Sequence, residues 1–430
     1  MSERQLSPPE TIGSRLKMIG PGIILAAAAI GSGELILTPR AGALFGLSIA
    51  WIILVSVIYK LFLTLGLARY TIATGEDIFV GFSHLPGPRF WFVWIMSVIY
   101  LVGAVGYSGI SLACGSALYA LFPSLSMVQW AVIVVILAYV LLLSGSYVPV
   151  EKAAFLLSFT LIVGVLYSLI ALRPDVSWFV RGLAPQLPEG SGQTAVSLLG
   201  WTAGGTSTLI YSFWILEKGF GGSRNKGKDF KGWLSLIRWD TGVSYLMMLL
   251  ISFAFLTIGV LVLSTAGPDG GPLIPAREET TSILSRLLTV AAGPRAKFVF
   301  LVAAFAILYS TVIGLVDGKS RALRSAARMI LPKSREVSDK NMYRIFATLM
   351  CAIIFAFLFT KSPVVLIVLI SAVEAPVLSI SAIALIYLVH RRLPRPMRPG
   401  LMWHVVIAAG TLIYLFFSIA FLVRTFFGSN

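Results

Sequence analysis

Charged residues are scarce in this sequence, and their scarcity limits the classes of protein that it can encode. They make up 12% of its 430 residues, whereas hydrophobic residues make up 57%. A soluble domain carries about twice that fraction of charge. Apolar runs of bilayer-spanning length recur from Met18 to Phe427, so almost no sequence is left for a soluble domain. We therefore predict an all-α integral membrane protein.

Cysteine and histidine are also rare. The two cysteines, Cys114 and Cys351, lie inside apolar runs and are expected to pack as small hydrophobic side chains, so no disulfide framework is implied. The three histidines, His84, His390 and His404, lie at or near the ends of predicted membrane spans. The sequence therefore offers few of the side chains with which proteins usually bind transition metals.

Acidic residues are outnumbered by basic ones, 18 to 34, which gives a formal net charge of +16. The basic residues do not form a stripe along the fold but cluster in short segments between apolar runs. This distribution is typical of insertion topology, with contact to anionic lipids at the cytoplasmic face. We therefore reject nucleic acid as a partner and expect the lipid bilayer and a small ion instead.

The apolar runs predict about eleven transmembrane helices in a single transporter domain. We expect a 5+5 inverted repeat, with a first repeat at about 18–172, a second at about 194–388 and an extra helix at about 401–424. Tails at 1–17 and 425–430 flank the domain. The predicted spans are 18–45, 48–73, 89–122, 127–144, 149–172, 194–217, 235–264, 296–318, 343–361, 363–388 and 401–424.

The basic segments predict the orientation of the chain. One is the N-terminal tail, and the others follow the sixth, eighth and tenth spans, the segment after the eighth beginning at Lys319. With eleven spans, all four segments lie on one side, which is the cytoplasm by the positive-inside rule. The first apolar run exceeds signal-peptide length and lacks a cleavage site. We expect an inner-membrane protein with a cytoplasmic N-terminus.

Two predicted helices, the first and the sixth, carry glycines beside hydroxyl residues at corresponding places. Glycine is a poor helix former, and an opened backbone at mid-membrane survives only where it lines a cavity or is buried in protein. We therefore predict that both helices are broken and form the substrate site. The alternative is that glycines such as Gly200 and Gly204 only let helices pack closely. The predicted substrate-binding residues are Gly31, Ser32, Gly33, Glu34, Ala203, Gly204, Gly205, Thr206, Ser207 and Thr208.

Glu34 is a carboxylate deep inside an apolar helix. Such a residue is costly in a membrane and is by default a functional candidate with a partner. The alternative is a charge pair with Lys60 that holds two helices together.

Several short motifs resemble the Nramp family of divalent-metal transporters. They are Gly20-Pro21 in the first helix, Ala41-Gly42-Ala43 after its break, Thr74-Gly75-Glu76 after the second helix, and Leu199-Gly200 to Tyr211-Ser212 in the sixth. The resemblance covers the chain from Gly20 through about the tenth helix, and it implies the leucine-transporter-type fold with helices 1 and 6 broken.

The chain departs from that family at the metal ligands. The family's Asp-Pro-Gly-Asn motif aligns with Gly31, Ser32, Gly33 and Glu34, and its Met-Pro-His motif aligns with Gly204, Gly205 and Thr206. The aspartate, the thioether and the histidine are all replaced. A Mn²⁺ or Fe²⁺ site of the usual kind is therefore not expected.

The remaining groups favour an anion. Broken helices offer free backbone N–H groups, hydroxyl donors and close backbone approach to a small ligand, with Lys60 nearby. Our leading hypothesis is a secondary transporter for a small oxyanion such as bicarbonate. The alternative is a divalent metal, Mg²⁺ or Mn²⁺, held partly hydrated by Glu34. Asp317 is a weaker candidate ligand, since it is expected to pair with basic residues at the end of the eighth helix.

Coupling to Na⁺ or H⁺ is expected at other residues, and no further cofactor is implied. By analogy with the fold, Ser310 and Thr311 of the eighth helix are sodium candidates, although such hydroxyls more often bond their own helix backbone. Glu374, in the tenth helix, is a candidate proton carrier.

Two alternative functions do not involve transport. Gly106-Tyr107-Ser108-Gly109 matches a short pattern of intramembrane serine proteases, in which Ser108 needs a base such as His404. A receptor without transport activity is the other, but it gains nothing from a costly buried Glu34. We predict that the protein is not an enzyme.

Overall fold

The computed structural model describes residues 8–9, 31, 33–144, 148–174, 177, 182–220, 228–267, 269–274, 280–359 and 363–427. Within these residues, all regular structure is helical. The principal helices are α1 Thr38–Phe45, α2 Ala50–Thr74, α3 Trp91–Leu121, α4 Met127–Ser144, α5 Val148–Leu172, α6a Gly192–Trp201, α6b Tyr211–Glu217, α7 Lys228–Leu263, α8 Ala296–Ile330, α9 Asp339–Phe357, α10 Pro363–Arg392 and α11 Leu401–Phe427.

Eight helices in the described residues are long and apolar enough to cross a membrane. The all-helical membrane fold is therefore confirmed. The count of eleven spans and the inverted repeat stay predictions, as do the domain bounds. Half of the predicted first span, 18–45, lies outside the described residues, namely 18–30 and 32.

Local signals explain where the second helix ends. Gly75 adopts a left-handed conformation with a φ of 74°, and its N–H bonds the carbonyl of Thr71 at 2.8 Å, which closes α2. The carboxylate of Asp77 then accepts hydrogen bonds from the backbone N–H groups of Phe79 and Val80, which starts a short helix, Ile78–Phe82.

Helix α8 is longer than the sequence analysis predicted. The predicted span stopped at 318 and placed Lys319 in a loop, but the helix continues to Ile330 and Lys319 is fully buried. The residues beyond 318 keep a helical period, since Ala322, Leu323 and Ala326 are buried on one face. The expectation that charge marks the end of this helix was therefore wrong.

The helices form an inner and an outer group. In the most apolar stretch of α10, 72% of the residues are buried inside the protein, whereas the figure for α9 is 28%. Large apolar side chains of the outer helices, such as Val140 and Phe416, are exposed, as expected of a lipid-facing surface. The inner helices α8 and α10 therefore flank the predicted site.

Helix α11 joins two inner helices. The Tyr414 hydroxyl donates to the carbonyl of Leu199 in α6a at 2.9 Å, and it lies 3.1 Å from the Ser56 hydroxyl of α2. The indole N–H of Trp403 donates to the carbonyl of Phe62, also in α2, at 2.7 Å. The extra helix is therefore hydrogen-bonded into the core and is not a loose appendage.

Candidate functional site

The sixth helix is interrupted where the glycines predicted. Between α6a and α6b runs a 3₁₀ segment, Thr202–Ile210, in which Ala203, Gly204 and Gly205 have φ angles of 57°, 99° and 51°. Three consecutive left-handed residues cannot continue a right-handed helix. The backbone N–H groups on either side of the turn are thereby freed for other partners.

Gly200 and Gly205 have different roles. A Cβ on Gly200 would lie 1.7 Å from the carbonyl oxygen of Ser371, so this glycine lets α6a touch the backbone of α10. Gly205 instead supplies a left-handed turn, and a Cβ there would lie 2.4 Å from a carboxylate oxygen of Glu374. Close packing and helix opening were alternative explanations of these glycines, and the structure shows both.

The first-helix motif lies against this break. Gly33 opens a π-helical turn, Gly33–Leu37, and its Cβ position is 2.9 Å from the carbonyl oxygen of Trp201. The Cβ position of Gly31 is 2.6 Å from the Thr311 hydroxyl oxygen of α8. Ser32 lies outside the described residues, as does the stretch before Gly31 in which the predicted first-helix break would begin.

Glu34 reaches across to the sixth helix. Its side chain is fully buried, and its Oε1 accepts a hydrogen bond from the backbone N–H of Ala203 at 2.8 Å. Its Oε2 accepts a longer bond, 3.4 Å, from the N–H of Gly31. The carboxylate therefore satisfies one of the N–H groups that the turn exposes.

Lys60 bonds the same end of the turn, through carbonyls and not through N–H groups. Its fully buried ammonium donates to the carbonyl oxygen of Gly200 at 3.1 Å and to that of Thr202. These carbonyls lie at the C-terminal end of α6a, where a positive charge is favourable. The suggested direct pair between Lys60 and Glu34 is not formed, since Lys60 bonds backbone carbonyls instead.

Glu374 of α10 binds the other side of the turn. Its Oε2 accepts from the backbone N–H of Thr206 at 2.9 Å, and its Oε1 accepts from the Thr206 hydroxyl at 2.8 Å. The same Oε1 accepts from the Lys319 ammonium at 3.0 Å. Both charged side chains are buried, so Glu374, predicted only as a proton carrier, is part of the helix break itself.

Lys319 is the site residue that sequence reasoning missed. Its ammonium lies 4.8 Å from the centre of the Tyr100 ring and 4.9 Å from that of Tyr107, both in α3. Aromatic faces stabilise a cation in this geometry. The helical period after position 318, described above, was the signal that could have placed Lys319 inside the membrane.

The other predicted residues lie nearby, and Ser310, Thr311 and Asp317 have partners within their own helix. The hydroxyls of Ser310 and Thr311 donate to the carbonyl of Ile307, one turn earlier in α8, at 2.9 and 2.8 Å. Ser207 and Thr208 are buried in the 3₁₀ segment after the turn. Asp317 pairs with Arg321 at 2.9 Å, as predicted, but within α8 and not at its end.

Metal ligands do not gather in the described part of the chain. No group of three or more His, Cys, Asp or Glu side chains is found there. The stretch 11–30, outside the described residues, contains none of these residue types. The carboxylates at the break are Glu34 and Glu374.

The protease reading fails on geometry. The Ser108 hydroxyl donates to the carbonyl of Ile354 at 3.0 Å, and His404 contacts the carbonyl of Gly400 in its own helix. Neither side chain is placed to activate the other.

A cavity of about 500 Å³ opens beside α6b, α8 and the start of α9. Its charged walls are partly paired, Arg321 with Glu217 at 2.9 Å and Arg328 with Asp339 at 2.7 Å. It brings solvent close to α6b from the side on which the basic residues of α8 cluster.

The comparisons with known proteins agree on the fold. The family model described as "Natural resistance-associated macrophage protein-like", Nramp, matches residues 22–424. An uncharacterized protein of Pasteurella multocida is 26% identical over 357 residues, which are 80% of this chain and 78% of that protein.

Solved structures of transporters are similar in fold. A mutant of the Eremococcus coleocola manganese transporter superposes with a TM-score of 0.67 at 16% identity, over 99% of this chain and 91% of that one. MhsT in complex with L-phenylalanine superposes with a TM-score of 0.60 at 14% identity, over 98% of this chain and 100% of that one. At these identities the likeness concerns the fold alone.

Proposed function

This chain belongs to the Nramp family, as its motifs had suggested, and from that premise we propose that it transports a small oxyanion such as bicarbonate. It is a multi-pass membrane protein with a transporter fold and is not an enzyme. The proposal concerns which ion it moves, and the site at the sixth-helix break supports it.

The main observation in support of this proposal is the pair of buried lysines at that break. Lys60 lies at one end of the turn and Lys319 at the other, and both are 0% exposed. Once the carboxylates of Glu34 and Glu374 are protonated or displaced, a divalent cation would meet two ammonium groups in a medium of low dielectric constant, where like charges repel strongly. An anion would be attracted by both, and would find the N–H groups of Ala203 and Thr206 when the internal carboxylates give way.

A divalent metal, Mg²⁺ or Mn²⁺, is the second candidate. Glu34 and Glu374 bring two carboxylates to the break, and one or two carboxylates suffice for a partly hydrated Mg²⁺. A structural neighbour is a manganese transporter. Against this candidate, the carbonyls of Gly200 and Thr202 already accept from the Lys60 ammonium, whose charge would repel a metal there.

The coupling ion follows from the same residues. Glu374 is a buried carboxylate that can take up a proton and so release Thr206 and Lys319. Sodium beside Gly31, Ser310 and Thr311 is the other option, since both hydroxyls there donate to the Ile307 carbonyl and keep oxygen lone pairs for an ion. We favour the proton.

The charge pattern supports an orientation in the inner membrane with the N-terminus in the cytoplasm. On this proposal the cavity lined by Arg321, Arg324 and Arg328 faces the cytoplasm, where anionic lipid headgroups are enriched.

Uptake into proteoliposomes tests the proposed substrate. Radiolabelled bicarbonate, Mn²⁺ and Mg²⁺ would be compared with and without a sodium gradient, at about pH 8, with protein-free liposomes to subtract diffusion of CO₂. Saturable bicarbonate uptake without metal uptake supports the oxyanion. Metal uptake without bicarbonate uptake rejects it and assigns Glu34 and Glu374 to a hydrated cation.

A further inference from the structure

Four polar groups converge beside Gly103 in α3. The position that a Cβ on Gly103 would take lies 3.3 Å from the Lys319 ammonium and 3.7 Å from both Glu374 Oε1 and the Tyr107 hydroxyl. Thr206 completes the group, because its N–H and its hydroxyl both bond the Glu374 carboxylate. Gly103 therefore lets α3 lie close to these groups, since a Cβ there would be crowded against the ammonium.

One member of this group lacks a partner. The Tyr107 hydroxyl is buried and makes no hydrogen bond within the described residues. A buried polar group without a partner costs free energy, so its retention calls for an occupant that is absent when Glu374 is bound. The other donors are already satisfied by the two carboxylate oxygens of Glu374.

The shape of the Glu374 carboxylate suggests that occupant. A carboxylate has two oxygens in a plane, and here they use Thr206 and Lys319. Bicarbonate has the same planar O–C–O group with a third oxygen attached. The third oxygen is the natural acceptor for the Tyr107 hydroxyl, which the carboxylate leaves unused.

We propose that this cluster is a subsite for planar three-oxygen anions that Glu374 occupies as an internal ligand. The proposal rests on the proposed oxyanion function and deepens it. A proton from the aqueous phase adds to a carboxylate oxygen of Glu374, and the neutral acid leaves the Lys319 ammonium without its counter-charge. The incoming anion replaces the carboxylate at Thr206 and Lys319 and accepts a further bond from Tyr107. One proton therefore accompanies each anion, and no net charge moves.

The charged and titratable groups around Glu374 fit this exchange. Lys319 bonds it from α8, the Tyr100 and Tyr107 rings of α3 lie over that ammonium, and Lys60 of α2 bonds the carbonyl of Gly200 at the other end of the turn. The 3₁₀ segment contributes Thr206, which does not titrate. The Glu374 carboxylate is thus the group among these that exchanges a proton without removing a positive charge from the subsite.

Tyr107→Phe and Tyr100→Phe form a matched pair for the test. Both rings lie over the Lys319 ammonium, but the Tyr100 hydroxyl is directed to the backbone carbonyl of Thr206 at 3.4 Å. Binding of bicarbonate and of formate, which has two oxygens, would be measured by calorimetry on the purified full chain at about pH 8. Matched chloride solutions control for ionic strength.

Tyr107→Phe is expected to weaken the binding of bicarbonate about tenfold, because it removes one hydrogen bond to the third oxygen. The affinity for formate, which lacks that oxygen, should stay unchanged. Tyr100→Phe should change both affinities by the same factor. Glu374→Gln removes the carboxylate charge that competes with the anion, and it should raise the affinity for bicarbonate about tenfold. Equal effects of Tyr107→Phe on both anions, or weaker bicarbonate binding by a well-folded Glu374→Gln, would overturn the subsite.

Uptake by the wild type distinguishes a failure of the proposed subsite from a failure of the proposed oxyanion transport. Bicarbonate uptake that persists while Tyr107→Phe shows no selective loss rejects the subsite alone. The absence of any bicarbonate uptake rejects the oxyanion function and the subsite with it. Tyr107→Phe removes only one hydroxyl, so its result stands even where Glu374→Gln fails to fold.

Discussion

The two ends of the sixth-helix turn carry the same pair of residue types in different arrangements. At the Ala203 end, Glu34 bonds a backbone N–H and Lys60 bonds backbone carbonyls. At the Thr206 end, Glu374 and Lys319 bond each other directly. Each end thus contains one buried carboxylate and one buried ammonium, but only the second contains an ion pair.

The difference separates two uses of buried charge. Lys60 compensates carbonyl dipoles, which carry no titratable charge, so it stabilises the shape of the turn. Lys319 compensates a carboxylate whose charge disappears on protonation. The two ammonium groups therefore differ in how directly a change in charge of a carboxylate reaches them. Four substitutions would break or sharpen this contrast.

The largest effect is expected from Lys319→Met. Removing the ammonium leaves the Glu374 carboxylate charged and buried without its partner, which costs about 3–5 kcal/mol of stability in comparable cases. Unfolding in mixed detergent micelles measures the loss. The double variant with Glu374→Gln should recover most of it, and a single variant as stable as the wild type would contradict the ion-pair interpretation.

Gly205→Ala should cause the second largest loss of stability. Its φ of 51° imposes about 1–2 kcal/mol of strain on a residue with a side chain. The added Cβ also meets Glu374 Oε2, and overpacking adds about 1–3 kcal/mol. Transport should be lost as well, since Glu374 is displaced. Gly242→Ala, at a helical glycine with open space around it, is the control and should be neutral in both assays.

Lys60→Met should cost less than Lys319→Met, about 1–3 kcal/mol, because the groups that lose a direct bond are two neutral carbonyls and not a carboxylate. Adding Glu34→Gln should not restore the loss, since the two side chains do not bond each other. A double-mutant cycle measures this coupling, and a value as large as that of Lys319 with Glu374 would remove the contrast.

Glu34→Gln should have the smallest effect on stability, below about 1 kcal/mol, because an amide oxygen can still accept from the Ala203 N–H. Its effect on transport should be larger, since it removes a negative charge from the site. Uptake and unfolding measured on the same preparation test this separation. A variant with unchanged uptake would place Glu34 outside the transport path.

Much of the fold was readable in the sequence because lipid imposes simple rules. Long apolar runs predicted α3 at 89–122, and the helix is Trp91–Leu121. Paired glycines predicted the interruption between α6a and α6b, where the structure has three left-handed residues. These signals are local, so they can be recognised in the sequence without knowing which helices pack together.

The pairing of residues across helices was not readable. Nothing near Glu374 in the sequence indicates Thr206 or Lys319, which lie 168 and 55 positions away. Lys319 was also assigned to a loop because a charge near the end of an apolar run usually marks the membrane surface. The rule failed because a carboxylate and two aromatic rings replace water around this ammonium.

The hydrogen bonds of α11 have a consequence for biosynthesis. Tyr414 binds Leu199 and lies beside Ser56, so helices separated by some 215 and 358 positions complete one cluster. During translation α2 and α6a enter the membrane long before Tyr414 leaves the ribosome. Until then the Ser56 hydroxyl has only its longer bonds to the carbonyls of Leu198, Leu199 and Thr202, at 3.3–3.5 Å, so a chain truncated before α11 should hold α2 against α6a less firmly.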